Sequence, residues 1–248
     1  NDMLLIFDKW ADISQELATY FFRNACGFTP IPNEKNFKKL IGKKKSSIDI
    51  LFNKNETNKL ESLDLSVSSK WLSSDLINDI SSFEKKINQK PFSTFFGGYL
   101  ETRAVYDSSD YEILTERGFE NRTTHLGIDF WVNEKTSINS IEDGIIKIIT
   151  NDKTIKGYGG LIIIEHSLGS LKFYSLYGHL TDQKKSKLKV GDFIEKGEKI
   201  AEIGSVKENG GWSPHLHFQI MLTLLDYKND FPGVCLESEK KVWSSICP

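Results

Sequence analysis

The stretch that most constrains this chain is Ser213-Pro214-His215-Leu216-His217-Phe218-Gln219-Ile220, where two histidines one residue apart sit inside an alternating apolar run. Alternation of this kind reads as a strand, and side chains at i and i+2 leave a strand on the same face. His215 and His217 therefore point into one space. Two imidazoles side by side are poor core filler, because each brings ring nitrogens that need partners. They make sense around a metal or a reacting group. A second stretch, Thr124-His125-Leu126-Gly127-Ile128-Asp129-Phe130, supplies another imidazole and a carboxylate. Neutral imidazole with carboxylate suits zinc, and catalytic zinc keeps three protein ligands and an open fourth position. His125, Asp129 and one of the closing pair complete such a set, and the other histidine of the pair then stands beside the bound water. His179, in Leu176-Tyr177-Gly178-His179-Leu180, is the natural fifth member.

Geometry adds a constraint. In one straight strand the Cα atoms of residues 125 and 129 would lie roughly 13 Å apart, at ~3.3 Å per residue. Ligand distances of about 2.0–2.2 Å cannot be met across that span. The backbone must bend between them, and Gly127 is the residue that permits it. Gly127 and the aromatic run after it also argue against a helix, so this is not the helical His-Glu-x-x-His device.

On these residues the sequence resembles the lysostaphin-type (LytM-like) zinc metallopeptidases, which cleave peptide cross-bridges or stem peptides of peptidoglycan. The resemblance runs from about Thr124 to Ile220. It takes in His125-x-x-x-Asp129, Asp143-Gly144-Ile145-Ile146, Gly157-Tyr158-Gly159 and Ile162-Ile163-Ile164-Glu165-His166. It continues through Tyr177-Gly178-His179-Leu180 and Val190-Gly191-Asp192-Phe193-Ile194-Glu195-Lys196-Gly197, and closes on Pro214-His215-Leu216-His217-Phe218. The resemblance implies zinc held by His125, Asp129 and His217, with His179 and His215 lining the reaction centre. It also implies a peptide or peptidoglycan substrate and a mainly antiparallel β-sheet with zinc in a groove. With an N-terminal helical region, the expected fold class is α+β.

The rest of the chain bounds these expectations. At 248 residues it can bury the core of one large or two modest domains. Hydrophobic and charged fractions of 39% and 27% are those of a globular protein in water. A net charge of -2 gives no electrostatic case for nucleic acid or an anionic membrane as partner. No apolar run approaches the ~20 residues that span a bilayer. Asn1 to Asp8 lack a basic n-region and a cleavage site, so no secretion signal is expected, and the absence of an initial methionine fits a piece of a longer multidomain chain. Cys26, Cys235 and Cys247 form no Cys-x-x-Cys motif; three buried thiols are expected, with Cys235 and Cys247 close enough in sequence to bridge.

Residues 1–30 read as an amphipathic helix, with Leu5, Phe7, Trp10, Ile13, Leu17, Tyr20 and Phe21 at three-to-four spacing and Gly27 with Pro30 as terminator. Lys43-Lys44-Lys45 lies in a polar stretch and reads first as a solvated face rather than an anion site. A second helix is expected over Ser73 to Asn88, capped near Ser74 or Asp75 and followed by Pro91. This gives an expected division into a helical region, 1–90, and a metallopeptidase-like β domain, 91–248, with its motif core at 124–220.

From Phe92 the chain changes to short β-branched and aromatic runs: Ile145–Thr150, Leu161–His166, Leu171–Leu176, Phe193–Ile194, Lys199–Ile203 and Leu216–Leu222. Their spacing predicts antiparallel sheet rather than βαβ units. Gly157-Tyr158-Gly159-Gly160 and Gly210-Gly211-Trp212 read as loops, which makes Tyr158 and Trp212 candidate groove walls for substrate. Arg122 is a candidate for a substrate carboxylate or a developing oxyanion, against the ordinary reading of a structural arginine. His166 has no partner motif and is expected to play a surface or hydrogen-bonding role.

Three other readings compete with this one. A non-catalytic wall-binding relative would be expected to have lost ligands, and this chain keeps the full set. Val190–Gly204 also resembles the hairpin of lipoyl and biotinyl carrier domains, for which the histidine and aspartate set has no use. Finally, Ala25–Phe28, Asp64–Val67 and Asn229–Val234 are similar to a peptidase-like module between a kinase-like domain and a pyridoxal-phosphate aminotransferase in large cytoplasmic proteins, which would imply a small amide or peptide metabolite.

Overall fold

A computed structural model of the protein describes residues 14–43, 48–53, 59–72, 79–88 and 93–248. The helices are α1 (Gln15–Ala25), α2 (Glu34–Ile41), α3 (Ile48–Leu51), α4 (Ile80–Asn88) and α5 (Lys240–Ile246). The strands are β1 (Lys59–Ser62), β2 (Ser93–Gly97), β3 (Glu112–Thr115), β4 (Gly118–Asn121), β5 (Thr124–His125), β6 (Ile128–Trp131) and β7 (Ser137–Asn139). They continue as β8 (Gly144–Asp152), β9 (Gly159–Leu168), β10 (Leu171–Leu180), β11 (Phe193–Ile194), β12 (Lys199–Glu202), β13 (Leu216–Met221) and β14 (Val234–Cys235).

Eight strands form one sheet in the order β1-β2-β6-β13-β10-β9-β8-β11. Every pairing in it is antiparallel except β1 with β2. The short β-branched runs dictate this: long hairpins such as β9–β10 pair over local connections, with no helical crossover between them. Central strand β9 is buried on both faces, which its unbroken Leu161-Ile162-Ile163-Ile164 run requires. Leu161 and Ile163 join Met221, Phe231, Trp243 and Ile246 on one side, where α5 packs. Ile162 and Ile164 meet Phe52, Phe130, Tyr177 and Ile203 on the other. Full burial of such a side chain contributes roughly 1.5–3 kcal/mol, so the two layers fix the sheet from both faces.

The N-terminal elements pack directly on this sheet. Strand β1 extends it, Phe52 is fully buried in its second core, and Phe37 of α2 packs on Phe173 with ring centroids 5.4 Å apart. The long helix expected over 1–30 is described only as α1, since residues 1–13 lie outside the described residues. Its start is set by Ser14, whose hydroxyl accepts from the Leu17 amide at 3.1 Å. Of the helix expected over 73–88, α4 is described; Ser74 and Asp75 lie outside the described residues, as do Lys44 and Lys45 of the lysine run. The carboxylate of Asp79 accepts from the Ser81 amide just ahead of α4. Among the described residues no helix is long and apolar enough to cross a membrane.

Register places the chemistry. Asp129 of β6 lies opposite His217 of β13, His217 lies opposite Gly178 of β10, and Gly97 of β2 lies opposite Asp129. The carboxylate and the imidazole are therefore cross-strand neighbours on one face. Strand pairing changes at Leu126-Gly127: β5 pairs with β14 from the C-terminal segment, and β6 joins the main sheet. The bend expected between residues 125 and 129 is there, but its physical reason differs. Gly127 is not in the left-handed region; a Cβ on it would sit 2.7 Å from the His217 ring and from the Phe218 carbonyl. Glycine is needed there for close approach.

Candidate metal centre

His125, Asp129 and His217 are buried and offer one ligand atom each, all within 4.8 Å of one another. His125 Nε2 and His217 Nδ1 are 2.8 Å apart, and each is 3.3 Å from Asp129 Oδ1. The far side of each group is committed. His125 Nδ1 donates to the Gly98 carbonyl at 2.9 Å. His217 Nε2 donates to Gln219 Oε1 at 2.9 Å, and that amide is oriented because its nitrogen donates to the Pro232 carbonyl at 3.1 Å. Asp129 Oδ2 accepts from Arg103 Nη1 at 2.5 Å.

These bonds fix both tautomers, leaving two nitrogen lone pairs facing each other beside a carboxylate oxygen. Asp129 Oδ1 has no hydrogen-bond partner and is buried. A proton is a poor solution at neutral pH, because burial drives His125 down to about 4 in spite of Asp129. Burial works against the Asp129 charge, yet His125 and Arg103 hold its carboxyl well below the usual carboxylate range. Three convergent lone pairs with every outer position satisfied fit a divalent cation, and imidazole with carboxylate is a zinc-type donor set.

The other two histidines stand beside this cluster with a different arrangement. His215 Nδ1 donates to the Ser213 carbonyl at 2.7 Å, and His179 Nδ1 donates to the Asn209 carbonyl at 3.0 Å. Their rings are 4.2 Å apart, and His215 Nε2 lies 3.8 Å from Asp129 Oδ1. Each thus keeps an Nε2 lone pair available. Burial lowers both pKa values, that of His179 well below the ordinary histidine value. His179 sits at a register shift between β9 and β10 and has φ of 64°, an unusual backbone for a residue with a side chain. Trp131 stacks on His215 with centroids 5.6 Å apart.

All five residues line one cavity of about 550 Å³. Tyr158 and Trp212 are on its wall: the Tyr158 ring meets the edge of His217 at 5.4 Å and Trp212 lies 6.2 Å from His179. Arg122 is also on the wall, but its guanidinium donates to the carbonyls of Asp110, at 2.6 Å, and Tyr111, at 3.4 Å. His166 hydrogen-bonds, as expected, through Asp143 O and Ser175 Oγ, but it is buried rather than on the surface. The cysteines are all free; Cys26 is exposed, against expectation, and Cys235 and Cys247 are buried.

Sequence reasoning missed Arg103, Gln219 and Tyr106, the last of which lines the cavity with its ring stacked on His125 at 6.4 Å between centroids. Gln219 carried a signal, since it lies two residues beyond His217 on the same strand face. Arg103 had none, because only the folded chain brings it to Asp129. Burial opposes its charge, but Asp129, Tyr106 and Glu101 raise its pKa above the ordinary arginine value.

This donor set forms a candidate metal site. Residues 123–228 match Peptidase family M23, and this part of the chain is a peptidase M23 domain, homologous to lysostaphin. The glycyl-glycine endopeptidase ALE-1 of Staphylococcus capitis is 37% identical over 103 residues, covering 41% of this chain and 25% of that protein. The murein hydrolase activator EnvC of Escherichia coli is 32% identical over 94 residues, covering 38% of this chain and 20% of that protein. The catalytic domain of lysostaphin from Staphylococcus simulans is 30% identical, covering 45% of this chain and 74% of that one, with a TM-score of 0.34. The matches span a quarter or less of the length of these curated relatives.

Proposed function

We propose that this chain is a zinc-dependent endopeptidase that hydrolyses peptide bonds of peptidoglycan, in its cross-bridges or stem peptides. The observation that carries the reading is the unpartnered Asp129 Oδ1 between two imidazole lone pairs, next to a second histidine pair with free Nε2 atoms. His125, Asp129 and His217 hold the zinc. Bound there, zinc supplies Lewis acidity, polarising the scissile carbonyl and bringing water to a pKa of about 7.

The chain's own groups do the rest. Neutral His179 and His215 accept hydrogen bonds at Nε2, so either orients the attacking water and takes its proton. Once protonated, that imidazole donates to the developing oxyanion or returns the proton to the leaving amine. Their Nδ1–H bonds to the Asn209 and Ser213 carbonyls hold both rings with Nε2 toward the cluster. Tyr158, Trp212 and Arg122 line the groove in which the peptide lies. Retention of all five residues favours hydrolysis over the purely activating role that one relative's name describes.

The test is release of soluble fragments from purified peptidoglycan, with new amino termini identified by mass. Cleavage is expected to stop on chelation and return with zinc. Failure to cut peptidoglycan while small peptides or amides are cut by the same metal-dependent site would redirect the assignment to a metabolite.

A further inference from the structure

The geometry points to a role for a residue outside the matched stretch: we propose that Arg103 is a positioning residue that makes Asp129 a one-oxygen ligand and so keeps a coordination position open. This rests on the reading of the triad as a metal centre. Arg103 is 3% exposed, and its guanidinium is gripped by two carboxylates, with Nη1 also donating to the Tyr106 hydroxyl at 3.4 Å. Nη1 donates to Asp129 Oδ2 at 2.5 Å, and Nε donates to Glu101 Oε2 at 2.6 Å. Glu101 is in turn fixed, because its Oε1 accepts from the Leu65 amide at 2.9 Å. Backbone anchors the other end, with the Arg103 amide donating to the Thr123 carbonyl at 2.9 Å. Room for the guanidinium comes from Gly98, at φ +101°, where a Cβ would fall 1.9 Å from Nη2.

A carboxylate can bind a cation through one oxygen or both. In this site the choice is made before any cation arrives. Oδ2 is held by a charge-assisted bond, the stronger kind of hydrogen bond, while Oδ1 is left bare and 3.3 Å from both imidazole nitrogens. If Oδ2 were released, the carboxylate could pivot and occupy a second position on the metal. A hydrolytic centre needs that position for water or the substrate carbonyl. The structure shows why lysine would not serve. Its ammonium is a point charge on a flexible stem, whereas the rigid guanidinium reaches Glu101 and Asp129 together from two nitrogens.

The test compares cobalt(II)-loaded wild type, Arg103→Lys and Arg103→Met by visible absorption, with zinc affinity measured by competition against a chromophoric chelator. The wild type is expected to show the intense bands of a four-coordinate ion. Both variants should show the weaker bands of a higher-coordinate ion and bind zinc about 10–100-fold less tightly, the usual range for loss of a ligand's outer partner. An Arg103→Lys spectrum and affinity equal to wild type would mean that charge alone matters, and would overturn the assignment. X-ray absorption of the zinc-loaded wild type decides the matter even if neither variant folds: one carboxylate oxygen near the metal is expected, and two would overturn it. A wild type that takes up neither zinc nor cobalt overturns the metal reading and this assignment with it.

Discussion

The two pairs of histidines in the cavity are built differently. His125 and His217 have both ring nitrogens engaged, one on Gly98 or Gln219 and the other aimed at Asp129. His179 and His215 have only one engaged, and the second is left to the cavity. A group that must hold an ion is best fixed on both sides, since its outer partner sets tautomer and direction. A group that must pass a proton needs one nitrogen free to gain and lose it. The same side chain is thus prepared for two tasks by what its second nitrogen touches.

The sharpest break in this comparison is metal content. His125→Ala and His217→Ala should each lose the bound zinc and all measurable hydrolysis together, as read by elemental analysis and fragment release. A His217→Ala protein that keeps stoichiometric zinc while His215→Ala loses it would reverse the two roles. The next effect is smaller and different in kind. His179→Ala and His215→Ala should retain zinc, while kcat falls about 10²–10³-fold, the typical loss for one transition-state donor. Equal losses of metal in all four variants would erase the distinction.

The smallest effect is on the stability of the chelator-treated protein. Burial lowers the folded pKa of His125 to about 4, and lowers those of His179 and His215 as well. When unfolded, each titrates near the ordinary 6.5. Between those values the unfolded chain binds protons that the folded chain refuses, so stability is lost as pH falls. The loss is at most ~1.4 kcal/mol per pH unit for each such histidine. Asp129 adds its own loss only below its ordinary value of 3.8, because its carboxyl is depressed in the fold. A melting temperature of the metal-free protein that holds level from pH 6.5 to 4.5 would contradict the burial of these rings as neutral species.

Much of the centre was legible in the residues themselves. Alternation around His215 and His217 told that they share a face, because a strand's period is two whatever surrounds it. The chemistry of imidazole and carboxylate told which ion they suit, and the β-branched runs told that the sheet is antiparallel. Strands expected at Ile145–Thr150 and Leu161–His166 lie within the longer β8 and β9. Even the bend at Gly127 followed from chain reach, although the reason that glycine stands there came from the His217 ring against it.

Contacts between distant segments were not legible. Arg103 is 26 positions from Asp129, and Leu65 is 36 from Glu101; neither spacing carries a period that marks a partner. His166 looked peripheral because a strand end is usually wet, whereas pairing with β8 and β10 buries it and supplies Ser175. The C-terminal segment gave no sign of its place, yet the Pro232 carbonyl orients Gln219 and the Gly233 carbonyl accepts from the Leu126 amide at 2.8 Å. Local periodicity and donor chemistry are properties of a few consecutive residues, so the sequence determined the candidate donors and the face that His215 and His217 share. Which carbonyl takes the second nitrogen of His125 and of His179, and which cation takes the second oxygen of Asp129, depends on segments that meet only when the sheet closes its register, and that was decided by the tertiary structure alone.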